Sequence, residues 1–214
     1  MEDVLATYER KPDPAFPLVC LDEFSKQLLS EVAPPIRPKP AQDQAKGKRE
    51  RHDAEYVREG SASAFMLAIP HLGKREIFVG KEARRTALDY AKAIEFLCDK
   101  VFPDAHRIIL VQDNLNTHTE ASLYKRFTPA KARRLAAKLE IHYTPKHGSW
   151  LNMAEIEISL LARSALKARV ASRDEFEQAI KSNVSRRNQK PRPINWQFTN
   201  KDARIKLKRL YPSV

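Results

Sequence analysis

The chain has 214 residues, 42% of them hydrophobic and 31% charged, which excludes a disordered protein and indicates one sizeable folded core. The formal net charge of +12 favours a polyanionic partner, of which nucleic acid is the commonest. The two cysteines, Cys20 and Cys98, are too few for a disulfide framework and lack the spacing of a metal site.

The sequence has no N-terminal secretory segment and no apolar run of about 20 residues. We therefore expect a cytoplasmic protein that does not enter a membrane. The excess of basic residues is greatest in the last quarter of the chain, from Arg163 onward. This basic region is compatible with DNA binding and equally with ordinary solvated helix surfaces.

The first part of the chain predicts a short helix, a strand and a long loop. Residues 2–9 have helical character, and prolines then separate them from an apolar strand, Leu18–Leu21, that we predict to end at Asp22. Residues 31–60 are rich in proline and mixed charge without periodicity, so they are predicted to form an extended loop.

A hairpin and a helix are predicted next. Two apolar segments, Ala64–Ile69 and Glu76–Val79, flank a Pro-His-Leu-Gly turn. Thr86, with Asp89 three residues later, has the pattern of a helix start, and Pro103 follows the end of that helix.

The second half of the chain predicts alternating strands and helices. The run Ile108–Val111 has the composition of a strand buried on both faces, and Asp113 follows it. The remaining predicted elements are a helix from Thr128 to Glu140, a strand over Ile141–Tyr143, and helices over Asn152–Ala168 and from Ser172 to about Asn188. This order predicts an α/β fold with a mixed sheet flanked by helices.

Three acidic residues are candidates for a metal-binding site: Asp22, Asp113 and Glu155. Asp22 and Asp113 follow apolar strands, and Glu155 lies in the first turn of a predicted helix. Carboxylates brought together from distant positions are what two Mg²⁺ or Mn²⁺ ions require for phosphoryl transfer. The alternative for each residue alone is a solvated surface acid, or a favourable partner of the helix dipole.

The helix that carries Glu155 is predicted to be amphipathic. Met153, Ile156 and Leu160 form an apolar stripe that we expect to face the core, which leaves Glu155 on another face. The neighbouring acids, Glu23 beside Asp22 and Glu157 beside Glu155, point elsewhere in an extended strand and in a helix, so we do not expect them to replace the predicted triad.

Three sequence blocks resemble the ribonuclease H-like DDE transposases of bacterial insertion sequences in the Tc/mariner superfamily: Leu18–Glu23, Val111–His118 and Thr144–Glu155. The resemblance implies a ribonuclease H-like mixed sheet flanked by helices. It also implies that Asp22 and Asp113 bind two divalent cations, Mg²⁺ or Mn²⁺, with Glu155 as the third acid of the catalytic site.

The same resemblance implies cleavage of double-stranded DNA at transposon ends, followed by attack of the freed 3′-hydroxyl on target DNA. A homodimer on DNA and a location at the bacterial nucleoid follow from it. The 31–60 loop occupies the place where mariner-like enzymes carry an extension to the partner subunit, and a disordered surface insertion is the alternative.

Other residues in the blocks are candidates for supporting the acids or contacting DNA. They are Asn114, His118, Lys146, His147 and Asn152. Asn114 also suits a plain turn, and the two histidines have no zinc spacing, so they are candidates for ordering loops, contacting phosphates or binding the attacking water. Asn152 is a candidate helix cap.

We divide the chain into an N-terminal linker or helix (1–15), a catalytic domain (16–190) and a basic C-terminal extension (191–214). Complete transposases carry an additional N-terminal region that recognises transposon ends, so the chain is expected to be a catalytic part of such a protein. Two alternatives remain: another ribonuclease H-like nuclease without strand transfer, and a non-catalytic DNA-binding remnant.

Overall fold

The computed structural model describes residues 1–34, 36, 54–80 and 86–211. Its strands are β1 (Leu18–Glu31), β2 (Tyr56–Ile69), β3 (Lys74–Val79), β4 (Ile108–Gln112) and β5 (Leu139–Tyr143). Its α-helices are α1 (Glu2–Tyr8), α2 (Ala87–Phe96), α3 (Glu120–Arg126), α4 (Pro129–Ala137), α5 (Ala154–Ser164), α6 (Arg173–Asn188) and α7 (Asn200–Lys206).

The five strands form one mixed sheet in the order β3-β2-β1-β4-β5. β1, β2 and β3 pair antiparallel, whereas β1, β4 and β5 run parallel. The predicted mixed sheet flanked by helices is therefore confirmed. Parallel pairing of β1 with β4 directs both strands toward the same edge of the sheet, where the segment that follows β4 lies beside β1.

The first strand is longer than predicted. β1 continues past Asp22 to Glu31 because its second half pairs with β2 and buries Phe24 and Leu28. Asp22 thus lies within a strand, opposite Met66, and does not end one. β2 begins at Tyr56, so the predicted 31–60 loop is wrong for its last residues; position 35 and positions 37–53 lie outside the described residues.

Each face of the sheet is covered by a separate hydrophobic core. α1, α5, α6 and α7 pack on one face, with Cys20 and Phe24 of β1. α2, α3 and α4 pack on the other, with Val19 and Leu21. Because side chains alternate along a strand, Asp22 projects toward the α5 face and Glu23 toward the opposite face.

The predicted apolar stripe of α5 is wrong for two of its three residues, since only Met153 is buried. Ile156 and Leu160 are 42% and 38% exposed, and the helix instead buries Ala154, Glu157 and Leu161. An acid is tolerated in that interface because Glu157 pairs with the buried Arg75 and the partly buried Arg187, which a hydrophobicity pattern does not reveal.

The ion pairs of Glu157 join three elements of the fold. Its Oε2 lies 2.9 Å from Nε of Arg75 on β3 and 2.5 Å from Nη1 of Arg187 on α6. Arg75 also donates from Nη2 to the carbonyl oxygen of Gly73 at 2.6 Å. These contacts hold α5 at a defined height on the sheet.

The C-terminal residues pack on the same core as α5. Trp196 lies 5.2 Å from Tyr8 between ring centroids, and Ala203 of α7 is fully buried. Arg204 pairs with Glu2, so the two ends of the described chain meet. α3 and α7 were not predicted. Among the described helices, none has the length and apolar character to cross a bilayer.

Replacing Glu157 with glutamine tests the ion-pair network. Arg75 and Arg187 would lose their shared carboxylate, and we expect the free energy of unfolding to fall by about 3–5 kcal/mol in urea denaturation. Glu177→Gln is the matched control, because Glu177 pairs with Lys181 on the exposed surface of α6. Its expected loss is about 0.5 kcal/mol or less. Similar losses in the two variants would contradict this role for Glu157.

Candidate active site

Asp22 is a buried carboxylate in the middle of the sheet, 8% exposed. Its Oδ1 accepts a hydrogen bond from the backbone N–H of Glu23 at 2.8 Å, and its Oδ2 accepts one from Nδ2 of Asn152 at 3.2 Å. Both oxygens therefore have a defined orientation.

Asn152 connects β1 to the start of α5. Its Nδ2 also donates to the carbonyl oxygen of Leu21 at 2.8 Å, and its Oδ1 accepts from the backbone N–H of Ala154 at 3.1 Å. The side chain is buried, so these bonds are made away from solvent. One amide thus orients Asp22 and positions the first turn of α5, where Glu155 lies.

The negative charges of the other acids act on Asp22. Burial, together with the negative charges of Glu155, Asp113 and Glu23, raises the pKa of Asp22 from 3.8 to about 7, although the hydrogen bond from the Glu23 backbone lowers it in part. Asp113 is the first residue after β4, and Glu155 is half-buried in the first turn of α5. The three predicted acids thus contribute to one electrostatic environment.

His118 lies between the carboxylates of Glu23 and Asp113. Its Nε2 is 2.9 Å from Oε2 of Glu23, and its Nδ1 contacts Oδ1 of Asp113. Burial by itself lowers the pKa of His118, but hydrogen bonds with Asp113 and Glu23 raise it to about 9. The imidazole is therefore cationic at neutral pH.

Glu23 contacts His118, although we did not expect Glu23 to take part in the site. It faces away from Asp22, as expected, but the loop after β4 brings His118 against it. The sequence gives little indication that Glu23 contacts His118, because the contact depends on the parallel pairing of β1 with β4. Within the described residues, donor atoms of Glu23, Asp113 and His118 lie within 4.8 Å of one another.

The remaining candidates lie at the surface. Asn114 is exposed on the loop after β4, and Lys146 and His147 are exposed between β5 and α5. His147 has a left-handed backbone, with φ of 62°, in a tight turn where a Cβ on Gly148 would approach Cγ of Pro145 to 2.6 Å. This turn presents Lys146 and His147 to solvent.

The donor set suits a hard divalent cation. Carboxylate oxygens are the protein ligands that Mg²⁺ and Mn²⁺ favour, and a cation relieves the repulsion among acids held close together. The raised pKa of Asp22 reflects that repulsion together with burial. That Asp22, Asp113 and Glu155 hold such an ion stays a prediction, because the group of donor atoms that the described residues bring within 4.8 Å of one another is Glu23, Asp113 and His118.

Asn152→Asp tests how strongly the amide stabilises the site. The substitution keeps the acceptor for the Ala154 N–H but directs an oxygen at the Leu21 carbonyl and the Asp22 carboxylate. We expect the metal-free protein to lose about 2–4 kcal/mol of stability at pH 8, with a smaller loss in acid, where a protonated Asp can donate. Asn114→Asp, at an exposed position, is the control and should change stability by about 0.5 kcal/mol or less.

Asp22→Asn should stabilise the metal-free protein above neutral pH. Since the pKa of Asp22 is raised in the fold, ionising it costs nothing below pH 3.8, progressively more between about pH 4 and 7, and its full cost above pH 7. One hydrogen bond is lost in exchange, so we expect a gain of about 1–3 kcal/mol at pH 8 and none at pH 4.

Urea denaturation at the two pH values measures this difference. Asp104→Asn, which removes the same charge from an exposed position, is the control. An Asp22→Asn variant that is less stable than the wild type at pH 8 would argue against an electrostatic cost at this site.

Comparison with known proteins gives a family and a fold. Residues 17–177 match the family described as DDE superfamily endonuclease. No curated protein matches the chain in sequence.

Two solved structures share the fold. The Mos1 strand transfer complex has a TM-score of 0.53 and 14% identity, over 87% of this chain and 54% of that chain. The Mos1 transposase paired-end complex with left transposon end has a TM-score of 0.53 and 15% identity, over 85% and 51%. The chain thus spans about half the length of these structures. Their likeness confirms the predicted ribonuclease H-like α/β fold, and since the family match covers most of the sequence, the chain belongs to the DDE superfamily of endonucleases.

Proposed function

We propose that this chain is the catalytic domain of a transposase from the bacterial insertion-sequence branch of the Tc/mariner superfamily. It cleaves DNA strands at transposon ends and joins the resulting 3′-hydroxyl to target DNA. The observation that carries the proposal is the buried Asp22, oriented by Asn152 and under the negative charges of Asp113 and Glu155.

The three acids hold two divalent cations, Mg²⁺ or Mn²⁺. When bound there, the cations would supply positive charge that polarises the phosphodiester, lowers the pKa of the attacking oxygen and stabilises the leaving oxygen. The protein's own contribution is orientation: β1 and β4 supply Asp22 and Asp113 from adjacent parallel strands, and α5 supplies Glu155. The bonds of Asn152 keep strand and helix in register, so the ligands need little reorganisation.

Double-stranded DNA is the proposed substrate. The net charge of +12 supplies attraction to its phosphates, and the exposed Lys146 lies in the turn that precedes the Glu155 helix. Part of the basic charge is already neutralised within the chain: Lys131 pairs with Glu95, and Arg134 with Asp99. We therefore expect DNA to follow the surface around Lys146 in preference to α4, through contacts that position the backbone without reading sequence.

Assembly and location follow from this proposal. The Mos1 structures to which the chain is similar are a strand transfer complex and a paired-end complex with a transposon end. We propose that this chain likewise acts as a homodimer on DNA, at the bacterial nucleoid.

The test compares wild-type protein with Asp113→Asn on short DNA duplexes, with Mg²⁺, Mn²⁺ or a chelator. Loss of one cation ligand removes several kcal/mol of charge stabilisation in the transition state, so strand cleavage should fall about 100-fold or more. Asp104→Asn, which makes the same change at an exposed position outside the three motif blocks, is the control and should retain cleavage within a few-fold, which is about 1 kcal/mol or less.

The products separate the possible activities. Joined strands together with metal-dependent cleavage identify a transposase, whereas cleavage without joining identifies a nuclease. Wild-type protein that neither cleaves DNA nor binds Mn²⁺ in calorimetry would refute the proposal.

A further inference from the structure

His118 is a tightly held polar residue near the acids. It is 1% exposed, and its ring stacks on Tyr90 with centroids 4.8 Å apart. Its carbonyl oxygen accepts hydrogen bonds from Nε2 of Gln112 at 2.9 Å and from the Tyr143 hydroxyl at 3.1 Å. Its backbone N–H donates to Leu115 at 2.9 Å. Ring and backbone are thus both fixed within the loop that follows β4.

Each ring nitrogen faces a different carboxylate. Nε2 lies 2.9 Å from Glu23, whose side chain is 3% exposed, and Nδ1 contacts Asp113, whose side chain is 30% exposed. Glu23 is therefore the interior partner and Asp113 the one that opens to the outside. One imidazole thus forms an ion pair with each of the two carboxylates, one at each nitrogen.

His118 contacts Asp113, the one acid of the three that neither a strand nor a helix orients. Asp22 is oriented by its own strand and by Asn152, and Glu155 by a helix. Asp113 follows the last residue of β4, where strand pairing has ended. Groups that hydrogen-bond to metal ligands fix their orientation and raise metal affinity.

We propose that His118 is a positioning residue for Asp113: its Nδ1 holds the carboxylate oriented for the cation, and Glu23 fixes the ring through Nε2. This rests on the proposed metal site of Asp22, Asp113 and Glu155. His118 itself does not bind the cation, because either nitrogen would first have to leave a carboxylate that it already pairs with.

Two substitutions of His118 by an amide residue distinguish the role of Nδ1 from that of Nε2. In His118→Asn the amide nitrogen takes the place of Nδ1 and still donates to Asp113. In His118→Gln it takes the place of Nε2 and donates only to Glu23. Both variants remove the same ring and the same charge, so each is the matched control for the other. Calorimetric titration with Mn²⁺ measures cation affinity without DNA and without catalysis.

We expect His118→Gln to weaken Mn²⁺ binding about 10-fold or more, and His118→Asn to stay within about 3-fold of the wild type. Glu23→Gln should weaken binding in the wild-type background and have little further effect in His118→Gln, since Glu23 acts only through the ring. Circular dichroism melts establish that each variant is folded at the titration temperature.

Equal Mn²⁺ affinities for the Asn and Gln variants, high or low, would overturn the inference, because a purely structural ring does not distinguish the two nitrogens. Pulsed electron paramagnetic resonance of Mn²⁺ on the wild type provides a measurement that needs no variant. We expect no coupling to an imidazole nitrogen, and a coupled ¹⁴N would overturn the inference by making His118 a ligand. Wild-type protein that binds no Mn²⁺ would instead refute the metal site on which the inference rests.

Discussion

The structure depends on a buried amide between two elements that are far apart in sequence. Asn152 donates to Leu21 and Asp22 on β1 and accepts from Ala154 at the start of α5. Without it, Asp22 would keep only the hydrogen bond from the backbone N–H of Glu23. The same side chain therefore makes Asp22 tolerable in the interior and fixes the distance at which Glu155 approaches it.

A second polar network, the ion pairs of Glu157, fixes the orientation of α5. Glu157, two residues after Glu155, is bound by Arg75 and Arg187, so α5 cannot rotate to point Glu157 at the site. In α5, Ile156 and Leu160 are exposed while Glu157 is buried, so the ion pairs of Glu157 determine the orientation of this helix more than the burial of these apolar side chains does. The polar contacts of Asn152 and Glu157 thus orient the candidate site, and apolar packing alone would not.

Sequence reasoning predicted the fold correctly, and it failed where tertiary contacts decide the structure. Strand β4 and the caps at Thr86 and Ser172 follow from local patterns, and both caps form. The extent of β1 depends on pairing with β2, and the buried face of α5 on arginines supplied by β3 and α6. Such partners are distant in sequence and leave no periodic signal.

The central claim is that Asp22, Asp113 and Glu155 form one cation site. The most direct measurement is anomalous scattering from crystals of the protein grown with Mn²⁺. We predict ions bound by oxygens of all three acids, at about 2.0–2.2 Å, with His118 still paired to Glu23 and Asp113. An ion bound instead by the imidazole of His118 and by Glu23, with Asp22 free of metal, would contradict the account.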